Sequence, residues 1–219
     1  MRSWGSLSLG DDRGTLSHPT ASGMLGFLGA CAGIDRDDMP QAAHWYDHWD
    51  VITISHRLPA MMVDYQSVNG SRQFDGKPNG NAVISMRSYL LSTIECVAYI
   101  PKVENNLFDR AMYGLAHPTF TPFVGRKCNP LMAPPDPEVV DQPQYQQIAE
   151  LLIARWKAKT ADAPFVLITP SGLLDDALPG CIRLYKSLAD KREGMSGSHA
   201  SAMREFHFSE IKDLQKEPI

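Results

Sequence analysis

Three glycines, Gly23, Gly26 and Gly29, recur every third residue inside a stretch that otherwise reads as a helix. Pro19 lies near its start, Thr20 and Ser22 offer capping hydroxyls, and Met24, Leu25, Phe27, Leu28 and Cys31 supply an apolar face, with Gly33 suited to the C-terminal end. Each interior glycine costs about 1 kcal/mol against alanine. A chain that accepts this cost three times must be compensated by the close approach of something to that helix. The expected compensation is the close approach of another backbone, protein or nucleic acid, with plain packing ahead of ligand contact by helix glycines alone.

The rest of the chain supplies partners for such a helix. It has 219 residues, 43% hydrophobic and 21% charged, which excludes a disordered tail and leaves about 70% of the unfolded surface available for burial. One domain over residues 1–219 is expected, without repeats or a clear linker. Residues Trp4 to Thr15, small, polar and Gly-rich, read as loop. Asp38 caps a short helix with Pro40 in its first turn, running towards Trp49. Strands are predicted at Val51 to Ser55 and Met61 to Val68. Residues 69–81 form a turn-rich connector bearing Arg72, Phe74 and Lys77, in the manner of an extended hairpin. Strands resume at Ala82 to Leu90 and Ser92 to Ile100, and a further amphipathic helix spans about Val103 to Leu115. A short strand, a glycine and two cations fill His117 to Pro130, and a Pro-rich acidic loop covers Leu131 to Gln142. Another helix follows from about Gln144 to Lys159. Further strands are predicted at Phe165–Thr169, Cys181–Lys186 and Met203–Ile211, with a mobile-looking stretch between Ala189 and Ala200. No apolar run reaches membrane-spanning length and no signal segment opens the chain, so a cytoplasmic protein is expected.

Formal net charge is −4, from 21 Lys and Arg against 25 Asp and Glu, which argues against a generic nucleic-acid coat while allowing a local basic groove. Cys31, Cys96, Cys128 and Cys181 lie far apart, so neither a zinc ribbon nor a dithiol site is expected. His44 and His48 stand four apart on a helix, but the glutamate of H-E-x-x-H is absent. Trp45, Tyr46 and Trp49 point instead to a packed helix, and no metal is expected. Ser171-Gly172 lacks the G-x-S-x-G context of a nucleophile, and no phosphate-loop or dinucleotide fingerprint occurs. No cofactor and no catalytic residue is therefore assigned. Three separated elements offer something else. Trp4-Gly5 and Arg13-Gly14 precede a helix N-terminus, where bare N–H groups favour anions. Arg87 and Tyr89 sit on one strand after the Arg72/Lys77 connector, and Gly125-Arg126-Lys127 sets two cations beside a glycine that permits close backbone approach. Cations, aromatic faces and free N–H groups are what single-stranded RNA recognition uses.

The order of motifs is also familiar. "SWG", "RGTLSHPTASGMLGFLGACAGIDRDD", "DYQSVNG", "AVISMRSYLLSTIECVAYI", "PTFTPFVGRKCNP" and "MREFHFSEI" follow one another over most of the chain. In this the sequence resembles the CasD-type subunits of type I-E CRISPR Cascade complexes, of the RAMP superfamily. The match is looser from about Leu131 to Ala200, and residues 131–219 form the more variable part. The resemblance implies an α+β, ferredoxin-like (RRM-related) antiparallel sheet with helices on one face and a protruding β-hairpin thumb at about residues 66–84. It implies a non-catalytic subunit in antiviral defence that holds the 5′ handle of the crRNA. Such a subunit touches the Cascade backbone and large subunits, meets target DNA only indirectly and needs no membrane.

Carried over by matching position, Trp4, Gly5, Arg13, Ser22, Gly23 and Arg36 would line or support the handle site. Arg87, Tyr89, Gly125, Arg126 and Lys127 would add backbone and base contacts, and Arg72 and Lys77 would reach phosphates from the thumb. The alternative is a metal-independent endoribonuclease, as in the type I-C relative, using for example His199 or His207 with Lys186 or Tyr185. The resemblance also implies a first strand ahead of the turn that Met1-Arg2-Ser3-Trp4-Gly5 matches. That strand is missing here, so unpaired strand edges and a slightly longer functional protein are expected.

Overall fold

The segment Trp49–His56 is apolar on both of its faces, and this decides the architecture. Ile52 and Ile54 enter one core cluster, Trp49 and Val51 another. A strand of this kind must be covered on both sides. The computed structural model describes residues 1–9, 11–57, 59–91, 95–103, 106–141, 144–161, 163–170, 182–186 and 200–205. Its elements run β1 (Trp4–Leu9), β2 (Asp12–Leu16), α1 (Ala21–Cys31), α2 (Met39–His48), β3 (Trp49–His56), β4 (Met61–Val68), β5 (Val83–Leu90), β6 (Cys96–Pro101), α3 (Asn106–Ala116), α4 (Tyr145–Thr160), β7 (Phe165–Pro170), β8 (Ile182–Lys186) and β9 (Ala200–Glu205).

The expected α+β class is what the chain adopts, organised as two sheets. One has five strands in the order β6-β3-β7-β9-β8, the other four in the order β1-β2-β5-β4. Helix α4 covers one face of the larger sheet, with Ile148, Leu152 and Trp156 at four-residue spacing against Ile52, Ile54, Phe165 and Leu167. Residues of α1, α2 and α3 gather on the other face around Trp45, Trp49, Val51 and Tyr99. Helices therefore stand on both faces of this sheet rather than on one as expected, because β3 is two-sided. Among the described residues β6 has β3 on one side and no strand on the other.

The glycines of α1 are compensated differently from expectation. A Cβ on Gly23 would meet the Trp4 ring at 3.2 Å, on Gly26 the Tyr46 hydroxyl at 3.1 Å and on Gly29 the Trp45 Nε1 at 3.0 Å. Aromatic side chains, not a backbone, occupy the bare helix surface. Trp45 Nε1 also donates to the Leu25 carbonyl at 3.1 Å, and the Tyr99 hydroxyl to the Met24 carbonyl at 3.1 Å. The close backbone approach lies instead at Gly114 of α3, where a Cβ would stand 2.6 Å from the Cys31 carbonyl and 2.7 Å from the Ala32 nitrogen. Gly114→Ala is expected to wedge α3 off α1 and cost about 2 kcal/mol, measured by urea denaturation. Gly80→Ala, which meets nothing within 4 Å, is its control.

Of residues 4–15, read from sequence as loop, 4–9 lie in β1 and 12–15 in β2, which pair antiparallel with a bulge between Gly5 and Ser8. Ser, Gly and Asp carry little strand propensity. Strand β2 gains its place by parallel pairing to β5, through Asp12↔Met86 and Arg13↔Arg87, so tertiary context overrides the local preference. The region from His117 to Pro130, expected to hold a short strand, has only the bridge Phe123↔Pro130. Strand β6 runs Cys96–Pro101 within the stretch predicted from Ser92 to Ile100, of which residues 92–94 lie outside the described residues. The predicted strands at 181–186 and 203–211 overlap β8 and β9, the second of which starts earlier, at Ala200; residues 206–211 lie outside the described residues. Ser171-Gly172, Cys181, His199, His207 and residues 189–199 lie outside the described residues, as do the side chains of Tyr185 and Lys186.

Strands β4 and β5 pair without interruption from Met61↔Leu90 to Val68↔Val83. Met61, Val63, Tyr65 and Val68 are exposed, and Phe74 in the connector is fully so, which is how a protruding hairpin reads. The two sheets are joined at the N-terminus. Arg2 exchanges backbone hydrogen bonds with Leu90, at 3.1 and 2.8 Å, while its buried side chain reaches Glu95 at 2.6 Å.

Candidate nucleic-acid interface

Directly opposite residues of paired strands share a face. Arg13 of β2 and Arg87 of β5 are such a pair, and Asp64 of β4 lies opposite Arg87 on its other side. Like charges side by side cost about 0.2–1 kcal/mol, a cost an anionic ligand would relieve. Arg87 Nε donates to Ser85 Oγ at 3.4 Å. Tyr89, two residues further along the same face, is buried, and its hydroxyl meets the Cys128 thiol at 3.7 Å.

Residues 124–129 fold back onto this row. Val124 donates to the Asn129 carbonyl and Asn129 to the Arg126 carbonyl, both at 2.8 Å, closing a tight turn with Asn129 buried beneath it. Gly125 has φ +84°, and a Cβ there would stand 1.8 Å from the Ser3 carbonyl oxygen. Only glycine fits so close an approach. The turn aims the Arg126 guanidinium over the Tyr89 ring, 5.6 Å from its centroid. From there it donates to the carbonyls of Arg13 (2.8 Å), Gly14 (3.0 Å) and Ser88 (3.4 Å). Lys127, next in sequence, is exposed.

Arg13, Arg87, Tyr89, Gly125, Arg126 and Lys127 are therefore brought together from three separate stretches. Trp4 joins them as packing, 1% exposed, its ring 3.2 Å from where a Cβ on Gly23 would stand and 3.3 Å from one on Gly125; it presents no face for a base to stack on. Gly5 lies on β1 opposite Thr15. Ser22 shares a 3.3 Å hydrogen bond with Thr20 in the first turn of α1, where the Thr20 hydroxyl accepts from the Gly23 N–H and caps the helix. Arg36 is exposed beyond the C-terminal end of α1, about 16 Å of helix away from the end that meets Trp4. Arg72 and Lys77 are exposed on the hairpin connector, Arg72 donating to the Gly76 carbonyl at 3.1 Å and Lys77 paired with Asp75 at 3.0 Å. The connector begins four residues, about 13 Å, along β5 from Arg87, so the thumb cations form a second, separate group.

Among the described residues no three His, Cys, Asp or Glu side chains converge as metal ligands would. His48 stacks edge-on against Trp49, and burial, His44 and Lys102 all push its pKa down. No described helix is long and apolar enough to cross a membrane.

A family model described as CRISPR-associated protein (Cas_Cas5) matches residues 1–195. The chain belongs to the Cas5 family. Among curated proteins, this Cas5 chain is 28% identical over 144 residues to "CRISPR system Cascade subunit CasD" of Escherichia coli (strain K12), across 61% of its own length. It spans 64%, less than two thirds, of that relative. Among solved structures, a chain of a "CRISPR RNA-guided surveillance complex" superposes with a TM-score of 0.61 at 21% identity, covering 96% of this Cas5 chain and 88% of that one. The family read from the motif order thus agrees with the family found by comparison, and the Cas5 fold accommodates both sheets.

Several residues that build this Cas5 surface escape a sequence reading. Asn129 carried a signal, since Asn-Pro marks a turn. Ser3, whose N–H donates to the Val124 carbonyl, and Thr15, whose hydroxyl accepts from the Trp4 N–H at 2.8 Å, carried none.

Proposed function

We propose that this chain is a cytoplasmic, non-catalytic crRNA-binding subunit of a type I-E CRISPR Cascade complex, holding the 5′ handle of the crRNA and capping the backbone in antiviral defence. The observation that carries this reading is the row Arg13–Arg87 with Lys127 beside it: exposed or half-exposed cations on a sheet of an otherwise acidic protein. Positive charge is concentrated where a phosphate chain would pass, and the acidic remainder is left for basic neighbours. The likeness to a Cascade subunit supports the Cascade backbone and large subunits as partners. Target DNA would be met only through them.

The test is binding of single-stranded repeat RNA to the full chain, followed by fluorescence anisotropy across a salt series. Arg13→Ala, Arg87→Ala and Lys127→Ala are each expected to weaken binding and to reduce the salt slope by about 0.7 per cation lost. A triple variant with wild-type affinity and slope would reject the site. The non-catalytic role is tested by incubating the same RNA with protein in EDTA and in magnesium; the RNA is expected to stay intact, and clean cleavage would make the protein a nuclease.

A further inference from the structure

We propose that Arg126 is a positioning residue, which holds Arg13 and Arg87 side by side for RNA without itself contacting it. This rests on the RNA-binding reading above. Strands β2 and β5 pair at two positions, Asp12↔Met86 and Arg13↔Arg87. At the point where the ladder stops, the Arg126 guanidinium donates to the Arg13 and Gly14 carbonyls on one strand and to the Ser88 carbonyl on the other. The side chain therefore supplies the next rungs of a ladder that the backbones no longer make.

Such a brace matters because the two residues it holds together carry like charge, which Asp64 offsets from the far side of Arg87 only. A planar fork of N–H donors can bridge two strands, whereas a lysine ammonium is a compact point charge that cannot span both sets of carbonyls. The Tyr89 ring beneath the guanidinium and the Gly125 turn behind it fix its direction. Sequence alone presents Arg126 and Lys127 as equivalent cations. In the fold one is turned onto the protein's own carbonyls and the other onto solvent.

The experiment compares Arg126→Ala and Arg126→Lys, alone and in an Arg13→Ala/Arg87→Ala background. Single-stranded RNA affinity is read by anisotropy, and hydrogen exchange is read in peptides covering residues 12–16 and 85–89. Arg126→Lys is expected to lose as much affinity as Arg126→Ala, about tenfold, with faster exchange in both peptides. Neither is expected to cost anything further once Arg13 and Arg87 are gone. Near-wild-type affinity in Arg126→Lys, or an undiminished tenfold loss in the double-alanine background, would make Arg126 a direct phosphate ligand and overturn the proposal. Should Arg126→Ala fail to fold, Arg126→Lys decides alone. A wild-type chain that binds no RNA overturns the underlying function and the positioning role together, whereas wild-type binding with Arg126→Lys unimpaired overturns the positioning role only.

Discussion

Gly125→Ala is expected to cost more than about 4 kcal/mol and to leave little folded protein at physiological temperature. Two effects add. Gly125 sits at φ +84°, which an L-residue adopts only at a cost of about 1–2 kcal/mol. Its Cβ would also fall 1.8 Å from the Ser3 carbonyl oxygen and 3.3 Å from the Trp4 ring. A backbone carbonyl cannot swing aside as a flexible side chain would. Ser3 must move, and with it the hydrogen bond from its N–H to Val124 and the neighbouring Arg2–Leu90 pairing. The control is Gly76→Ala, at φ +81° with nothing within 4 Å, expected to cost only the backbone share, about 1 kcal/mol. Thermal unfolding of the two variants separates strain from collision. Equal melting temperatures would mean that Ser3 does not stand where it is described.

Glu95→Ala is the second large effect, expected to cost about 3–5 kcal/mol, because the Arg2 guanidinium would be left buried without its carboxylate. Arg2 and Glu95 are 4% and 9% exposed and 2.6 Å apart, where the N-terminal segment crosses between the sheets. Glu95→Gln is expected to behave otherwise, since the amide keeps an acceptor oxygen for Arg2. Burial pushes the Glu95 carboxyl up from 4.5 to about 7, although Arg2, Ser55 and Trp4 pull it down. A group whose folded pKa is raised contributes its stability fully below the unfolded value and loses it as pH climbs through the folded one. Between pH 4.5 and 7 the wild type therefore loses a contribution that Glu95→Gln keeps, and the melting-temperature gap moves in favour of Gln. Melts of both proteins from pH 4.5 to about pH 8 check this; a gap that moves the other way would place the favourable charge pair above the desolvation cost.

Periodic segments were legible because their periodicity reports local burial. The helices α1 and α4 fall close to where their apolar stripes put them; the strand Met61–Val68 also stands where it was predicted, although its residues are almost all exposed and no burial pattern marks it. The β1–β2 hairpin was not legible, since Ser, Gly and Asp specify no strand until β5 offers a partner. The glycines of α1 announced a close approach but not its nature. Trp4, Tyr46 and Trp45 fill the space, and the backbone contact fell at Gly114, which the sequence does not distinguish from a helix glycine of no consequence. In the candidate site, grouping Arg87 with Gly125-Arg126-Lys127 was legible from chemistry. That Trp4 is a core residue and Arg126 a donor to carbonyls was not, because both facts depend on contacts between distant parts of the chain.

The β4–β5 hairpin runs in one unbroken register and leaves most of its outer residues in solvent. Its tip glycines, Gly70, Gly76 and Gly80, have no neighbours within 4 Å. Nothing in either core therefore measures its length. Two residues added to each strand would carry the tip about 7 Å further, and doubling the connector would cost only about 0.6 kcal/mol in closure entropy. A change in the arm's length would therefore leave the packing of the cation row at its root undisturbed.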